Sequence, residues 1–113
     1  MTIESKRFFY DSGSSWEEVW PGITRKVIGF DERLMLVKVK FKKGAAAPSH
    51  SHPHSQSSYI KSGRFEMTIG NEKTILGAGD GFYVSPDVEH SVIALEAGIV
   101  VDAFSPHRED FLS

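Results

Sequence analysis

Between Leu34 and Lys42 the side chains sort by twos. Met35, Val37, Val39 and Phe41 fall on one face of an extended chain, and Leu36, Lys38, Lys40 and Lys42 fall on the other. A period of two belongs to a half-buried β-strand and is incompatible with a helix face. Lys43-Gly44 ends the run. The alternating lysines read as a solvated strand face, not as a track for phosphates.

The same grammar continues along the chain. Ser58 to Lys61 reads as a short strand closed by Ser62-Gly63. Arg64 to Ile69 and Lys73 to Leu76 flank Gly70-Asn71-Glu72 and read as a hairpin. Gly77 to Gly81 is a glycine-rich turn, and Phe82 to Ser85 is a strand stopped by Pro86. His90 to Leu95 and Ile99 to Phe104 read as a second hairpin around Ala97-Gly98. Short strands at close spacing, with Gly or Pro between them, predict an all-β sandwich or barrel. Helix is scarce. Ser14 and Ser15 stand three residues before Glu17 and Glu18, a capping-box pattern that predicts at most one turn. Glu109 to Ser113 reads as a short terminal turn. Trp16 and Trp20 are expected on an apolar edge or at a subunit contact.

The chain has 113 residues, enough for one core and not two. We expect a single domain over 1–113, with an N-terminal arm (1–20), a barrel (21–106) and a C-terminal tail (107–113). Hydrophobic residues make up 40% and charged residues 25%, and the formal net charge is −2, which gives no basis for a nucleic-acid binder. There is no cysteine, hence no disulfide frame and no thiolate site. Met1 to Asp11 contains no apolar signal-like stretch, and no run approaches the roughly 18 apolar residues of a membrane helix. A cytoplasmic protein that does not engage a membrane is expected. The aromatic stretch Arg7-Phe8-Phe9-Tyr10 suits an exchanged arm, and a homodimer is expected.

Chemistry concentrates in Ser49-His50-Ser51-His52-Pro53-His54-Ser55-Gln56. On an extended chain His50 and His52 share a face and can address one ion. A straight strand would set Gln56 roughly 20 Å from His50, so the chain must bend, and Pro53 is the natural place. After the bend either His54 or Gln56 could return to the ion, and a further ligand must come from elsewhere. His90, four residues after Pro86 at the start of a strand, is the candidate. Three histidines at alternate positions with a distant partner argue for a metal, against surface histidines in a polar loop.

A second constellation closes the chain. Val100, Asp102 and Phe104 share parity on the last strand, on the face that points into a small barrel. An inward aspartate is costly unless paired or functional. Arg108, just past Pro106, can fold over the mouth, and its fork suits a carboxylate. An Asp102–Arg108 ion pair pinning the tail is the purely structural alternative.

Gly44-x5-His50-x-His52-x3-Gln56-x6-Gly63 resembles the first motif of the cupin superfamily, with glutamine where that motif usually has glutamate. Gly79-Asp80-x5-Pro86-x-Val88-x-His90 resembles the second, with Asp87 in place of its usual central glycine. The resemblance implies a double-stranded β-helix, or jelly-roll, barrel holding one divalent metal ion through His50, His52, Gln56 and His90. It leaves His54 beside the ligands or facing a substrate. A neutral glutamine leaves a divalent ion its full charge and removes the two-histidine, one-carboxylate set of non-haem iron oxygenases. Ni, Zn, Co, Fe, Mn and Cu are not distinguished.

From about Trp16 to Leu112, and through the tail Asp102-x-Phe104-Ser-Pro-x-Arg108-Glu-Asp-Phe, the chain resembles the KdgF-type pectin-degradation cupins. That resemblance implies Asp102, Phe104 and Arg108 as catalytic residues. It implies a small-molecule 4,5-unsaturated uronate, from pectin or alginate lyase action, as the substrate. The activity implied is opening of its ring to the linear 4-deoxy-5-keto uronate, an isomerase- or lyase-like step. Another metal cupin (an oxygenase or a sugar isomerase) and a non-catalytic small-acid sensor are the alternatives.

Overall fold

A computed structural model describes residues 3–112. Met1 and Thr2 of the predicted arm, and Ser113 of the predicted tail, lie outside the described residues. Eight strands follow one another: β1 (Glu17–Trp20), β2 (Ile23–Phe30), β3 (Met35–Phe41), β4 (Ala46–His50), β5 (Ser55–Ile69), β6 (Glu72–Gly77), β7 (Gly81–Val84) and β8 (His90–Ser105). A 3-10 turn, η1, spans Glu109–Leu112. No helix among the described residues is long and apolar enough to cross a membrane.

Two long antiparallel strands, β5 and β8, pair along most of their length and serve both layers of the molecule. The first half of β5 and the second half of β8 join β7, β3, β2 and β1 in one layer. The other halves join β6 and β4 in the second layer. The hydrogen-bonded path runs β1-β2-β3-β8-β5-β6 without closing. This is the all-β architecture that the alternation and spacing predicted, and the jelly roll that the cupin resemblance implied.

Two predicted chain breaks are corrected. Ser62-Gly63 does not end a strand, and Ala97-Gly98 does not turn a hairpin. Both lie where β5 and β8 pass from one layer to the other, and the register shifts between Ile60 and Phe65. A Cβ on Gly63 would sit 2.7 Å from Gly98 Cα, so the glycines serve close backbone approach. The capping-box reading also fails. Ser14 Oγ donates back to the carbonyls of Tyr10 and Asp11, and Glu17 and Glu18 belong to β1.

The β3 alternation is realised as predicted, with Met35, Val37 and Phe41 buried and Leu36 and Lys40 exposed. Ile23, Phe41, Ala47, Ile60, Phe65, Ala94 and Val100 form the main core. Met35, Val37 and Phe104 form a second cluster at the other end.

The lysine face is not left to water. Asp11 bridges Lys38 and Lys26, at 3.0 and 3.4 Å, and Trp16 lies against Lys40, Lys26 and Lys38. Ser5 exchanges backbone and side-chain hydrogen bonds with Phe30. The N-terminal segment therefore docks on its own β2 and β3. Trp20, by contrast, packs on the main core.

Candidate metal centre and cavity

The chain leaves β4 at His50, crosses Ser51–His54 outside any strand, and enters β5 at Ser55. That is the bend expected at Pro53. Asp87 N donates to the His52 carbonyl at 2.8 Å and fixes the bend to the turn before β8. Asp87 has φ 66°, the left-handed conformation that favours glycine. The aspartate found at the motif's glycine position has kept that position's backbone.

His50 and His90 are register partners across β4 and β8, and His52 joins them from the bend. One ligand atom from each of the three lies within 4.8 Å of the others. Each ring is held by its other face. Nδ1 donates to a backbone carbonyl in all three: His50 to Pro48 (2.8 Å), His52 to His54 (3.1 Å) and His90 to Val88 (2.9 Å). This tautomer leaves every Nε2 as a lone pair, the arrangement that orients histidine toward a cation.

Gln56 completes the test of fit. Its amide nitrogen donates to Ser58 Oγ (3.1 Å) and Asp102 Oδ1 (3.3 Å), which sets its oxygen 2.9 Å from His52 Nε2. Two acceptors then face one another, a contact that needs a cation or a proton between them. Burial lowers the His52 pKa, and it lowers His90 to about 4, so a proton is disfavoured. The donor set fits a divalent metal ion. His54 is not in the group. Its Nε2 donates to the His107 carbonyl at 3.1 Å and ties the C-terminal tail to the bend.

His50 and His90 of the trio line a cavity of about 640 Å³, within the ~300–1,000 Å³ usual for small-molecule sites. Its wall also carries Gln56, Asp102, Phe104 and Arg108. Ser58 and Asp102 are register partners across β5 and β8, and Ser58 Oγ donates to Asp102 Oδ1 at 2.6 Å. Burial raises the Asp102 pKa to about 6, against the opposing pull of the Ser58 and Gln56 hydrogen bonds and the Arg108 charge. Phe104 is buried and meets the His52 ring edge-on at 5.6 Å.

The Asp102–Arg108 ion pair weighed as the structural alternative does not form. Arg108 Nε and Nη2 bind the two oxygens of Asp110, at 3.1 and 2.9 Å. Its guanidinium lies 5.2 Å from the Phe104 ring centre.

Three residues were given no role by the sequence reading: Ser58, which bonds Asp102 and Gln56, and Arg25 and Phe111 of the cavity wall. Ser58 shares the parity of Gln56, and Arg25 interrupts the inward series Ile23, Val27. Those are the signals that could have found them. Phe111 gave none.

Comparison with known proteins agrees with this geometry. The cupin domain family model matches residues 37–108. The pectin degradation protein KdgF of Dickeya dadantii (strain 3937) is 43% identical over 109 residues, 95% of this chain and 99% of that protein. An RmlC-like cupin from Shewanella frigidimarina superposes with a TM-score of 0.92 at 40% identity, covering 96% of this chain and 97% of the other. KdgF from Halomonas sp. superposes with a TM-score of 0.89 at 38% identity, covering 95% and 99%.

Proposed function

Because the chain belongs to the cupin family, and within it to the family of the pectin degradation protein KdgF, we propose that it converts 4,5-unsaturated uronates to linear 4-deoxy-5-keto uronates. The observation that carries this reading is one cavity lined by His50, His90, Gln56 and the buried Asp102, with Gln56 linking His52 of the three-histidine cluster to that aspartate. His50, His52, Gln56 and His90 would hold the divalent ion. When bound, that ion supplies Lewis-acid charge toward a developing enolate oxygen.

The reaction is a proton relocation. Asp102 takes the proton from the C1 hydroxyl of the ring hemiacetal. The C1–O5 bond breaks, C1 becomes an aldehyde, and O5 leaves carrying the enolate of C5. Asp102 then returns the proton to C4, which becomes a methylene, and C5 becomes a ketone. No atom is lost and no electron is transferred. A carboxyl with a pKa of about 6 suits both halves near neutral pH. Arg108 holds the C6 carboxylate through the Nη1 donors that Asp110 leaves and orients the ring. Phe104 packs on the ring and keeps water from C4. The burial of Phe104 between His52 and Arg108 supports that role.

The same reading has the protein act in the cytoplasm as a homodimer. The exposed Tyr59 and Tyr83, on the outer face of β5 and β7, support pairing. Tyr59→Glu should then leave a monomer in sedimentation equilibrium.

Turnover in D2O tests the chemistry. A proton delivered by Asp102 comes from one side, so the C4 methylene should carry one deuterium in one configuration. A mixture of both configurations would exclude delivery by Asp102.

A further inference from the structure

The proposed chemistry uses one arginine, yet the cavity wall has two. Arg25 comes from β2, in register with Val39 of β3, and its side chain is only 18% exposed. Its guanidinium carbon lies 3.7 Å from the centre of the Phe111 ring. Arg108 lies 4.3 Å from the same ring centre. Phe111 also meets Phe104 edge-on at 5.8 Å. One aromatic ring from the C-terminal turn thus gathers two guanidiniums at the cavity wall.

Each arginine engages its own acid by the same edge. Arg25 uses Nε and Nη2 on Glu17 Oε1, at 3.0 and 2.7 Å. Arg108 uses Nε and Nη2 on Asp110. Among the described residues, no group hydrogen-bonds the Nη1 of either. An aromatic face attracts a guanidinium without consuming its N–H donors, so the stacking orients both groups and leaves those donors for a ligand.

We propose that Arg25 is a second carboxylate-binding residue of the cavity, paired with Arg108, and that Phe111 is the positioning residue that holds the two together. This rests on the uronate reading above and deepens it: the substrate's acid is held between two strand-and-tail cations, and the tail is part of the site.

Four variants and one binding probe test it. Arg25→Gln should raise KM for the unsaturated uronate about tenfold and leave kcat within about threefold, the signature of lost uniform binding. Glu17→Gln frees Arg25 from its acid and should lower KM, whereas a merely structural Arg25–Glu17 pair predicts no gain. Phe111→Leu keeps apolar bulk without a π face, and Phe111→Tyr keeps the face. Leu should raise KM and lower kcat, and Tyr should restore both. Equal rescue by Leu and Tyr would reduce Phe111 to packing.

Binding of D-galacturonate, against D-galactose as the uncharged control, separates this inference from the function it rests on. A wild-type protein that is inactive yet binds galacturonate, with binding lost in Arg25→Gln, keeps the paired arginines and removes the activity. An active wild type whose KM and galacturonate affinity are unchanged in Arg25→Gln overturns the second arginine and leaves the activity. A wild type that neither turns over nor binds galacturonate overturns both.

Discussion

Gln56 Nε2 donates to Asp102 Oδ1 at 3.3 Å, and the same amide turns its oxygen toward His52 Nε2 at 2.9 Å. One side chain therefore contacts both the histidine cluster and the buried acid. Glutamate at this position would have no N–H to offer Asp102. It would instead set a second carboxylate against the first.

Gln56→Glu tests that arrangement. Two carboxylates in hydrogen-bond range cannot both ionise cheaply, and the pair takes up a proton at higher pH. The added charge should slow metal release. Turnover at pH 7 should fall about tenfold or more, and the acid limb of the rate profile should move to higher pH. Metal-off rates and a pH–rate profile of the variant check both directions. Faster metal release with an unshifted profile would contradict the geometry.

Asp102→Asn removes the proton carrier and keeps the shape. Turnover should drop by about 10²–10⁴-fold, with metal content unchanged by elemental analysis. Near-normal turnover would remove Asp102 from the chemistry.

The same residue sets a pH dependence of stability in metal-free protein. Its folded pKa, about 6, stands above the ordinary aspartate value of 3.8. The folded state therefore binds the proton more tightly than the unfolded one, and the contribution of Asp102 is full below about 3.8 and lost as pH rises through about 6. The loss is on the order of 2–3 kcal/mol. His90 runs the other way. Its pKa falls from 6.5 to about 4, so its contribution is present above 6.5 and lost as pH falls through about 4. Wild-type stability thus mixes two opposed slopes, and Asp102→Asn isolates one. The Tm difference, variant minus wild type, should rise from pH 4 to pH 7 in chelated protein. A flat difference would show that Asp102 is not held protonated by its burial.

Gly98→Ala probes the crossing of β5 and β8. An added Cβ would meet the Ser62 carbonyl and sit 2.7 Å from Gly63 Cα, backbone on backbone. Such a clash cannot relax by rotating a side chain, and a loss of roughly 3 kcal/mol or more is expected by chemical denaturation. A variant as stable as wild type would mean that the strands do not cross as described.

How much of this was legible depended on the distance over which each signal acts. The faces of β3 could be read residue by residue, because alternation is local and burial of Met35, Val37 and Phe41 follows directly from it. The bend after His52 could be read from chain reach. Gly63 and Gly98 were misread as strand ends. A glycine declares that a side chain is excluded, and the neighbour that excludes it, here another strand's backbone, is not written beside it. The serine-glutamate pattern before Trp20 was likewise a local signal overridden by pairing with β2. Ser58, Arg25 and Phe111 depend on register and on where the tail lands. Ser58 meets Asp102 only because β5 and β8 pair as they do. Arg25 and Arg108 meet only through a ring from η1.

Metal-dependent ring opening of an unsaturated uronate leaves an optical trace. Its most direct test follows the ultraviolet absorbance of the C4–C5 double bond of a purified 4,5-unsaturated monouronate. The traces compare no protein, metal-loaded protein, chelated protein and protein re-loaded after chelation. Absorbance should be lost faster with loaded protein than in the unaided reaction. Chelation should return the rate to the unaided value, and added divalent metal should restore it. A loss rate that is the same in all four traces would contradict metal-dependent ring opening.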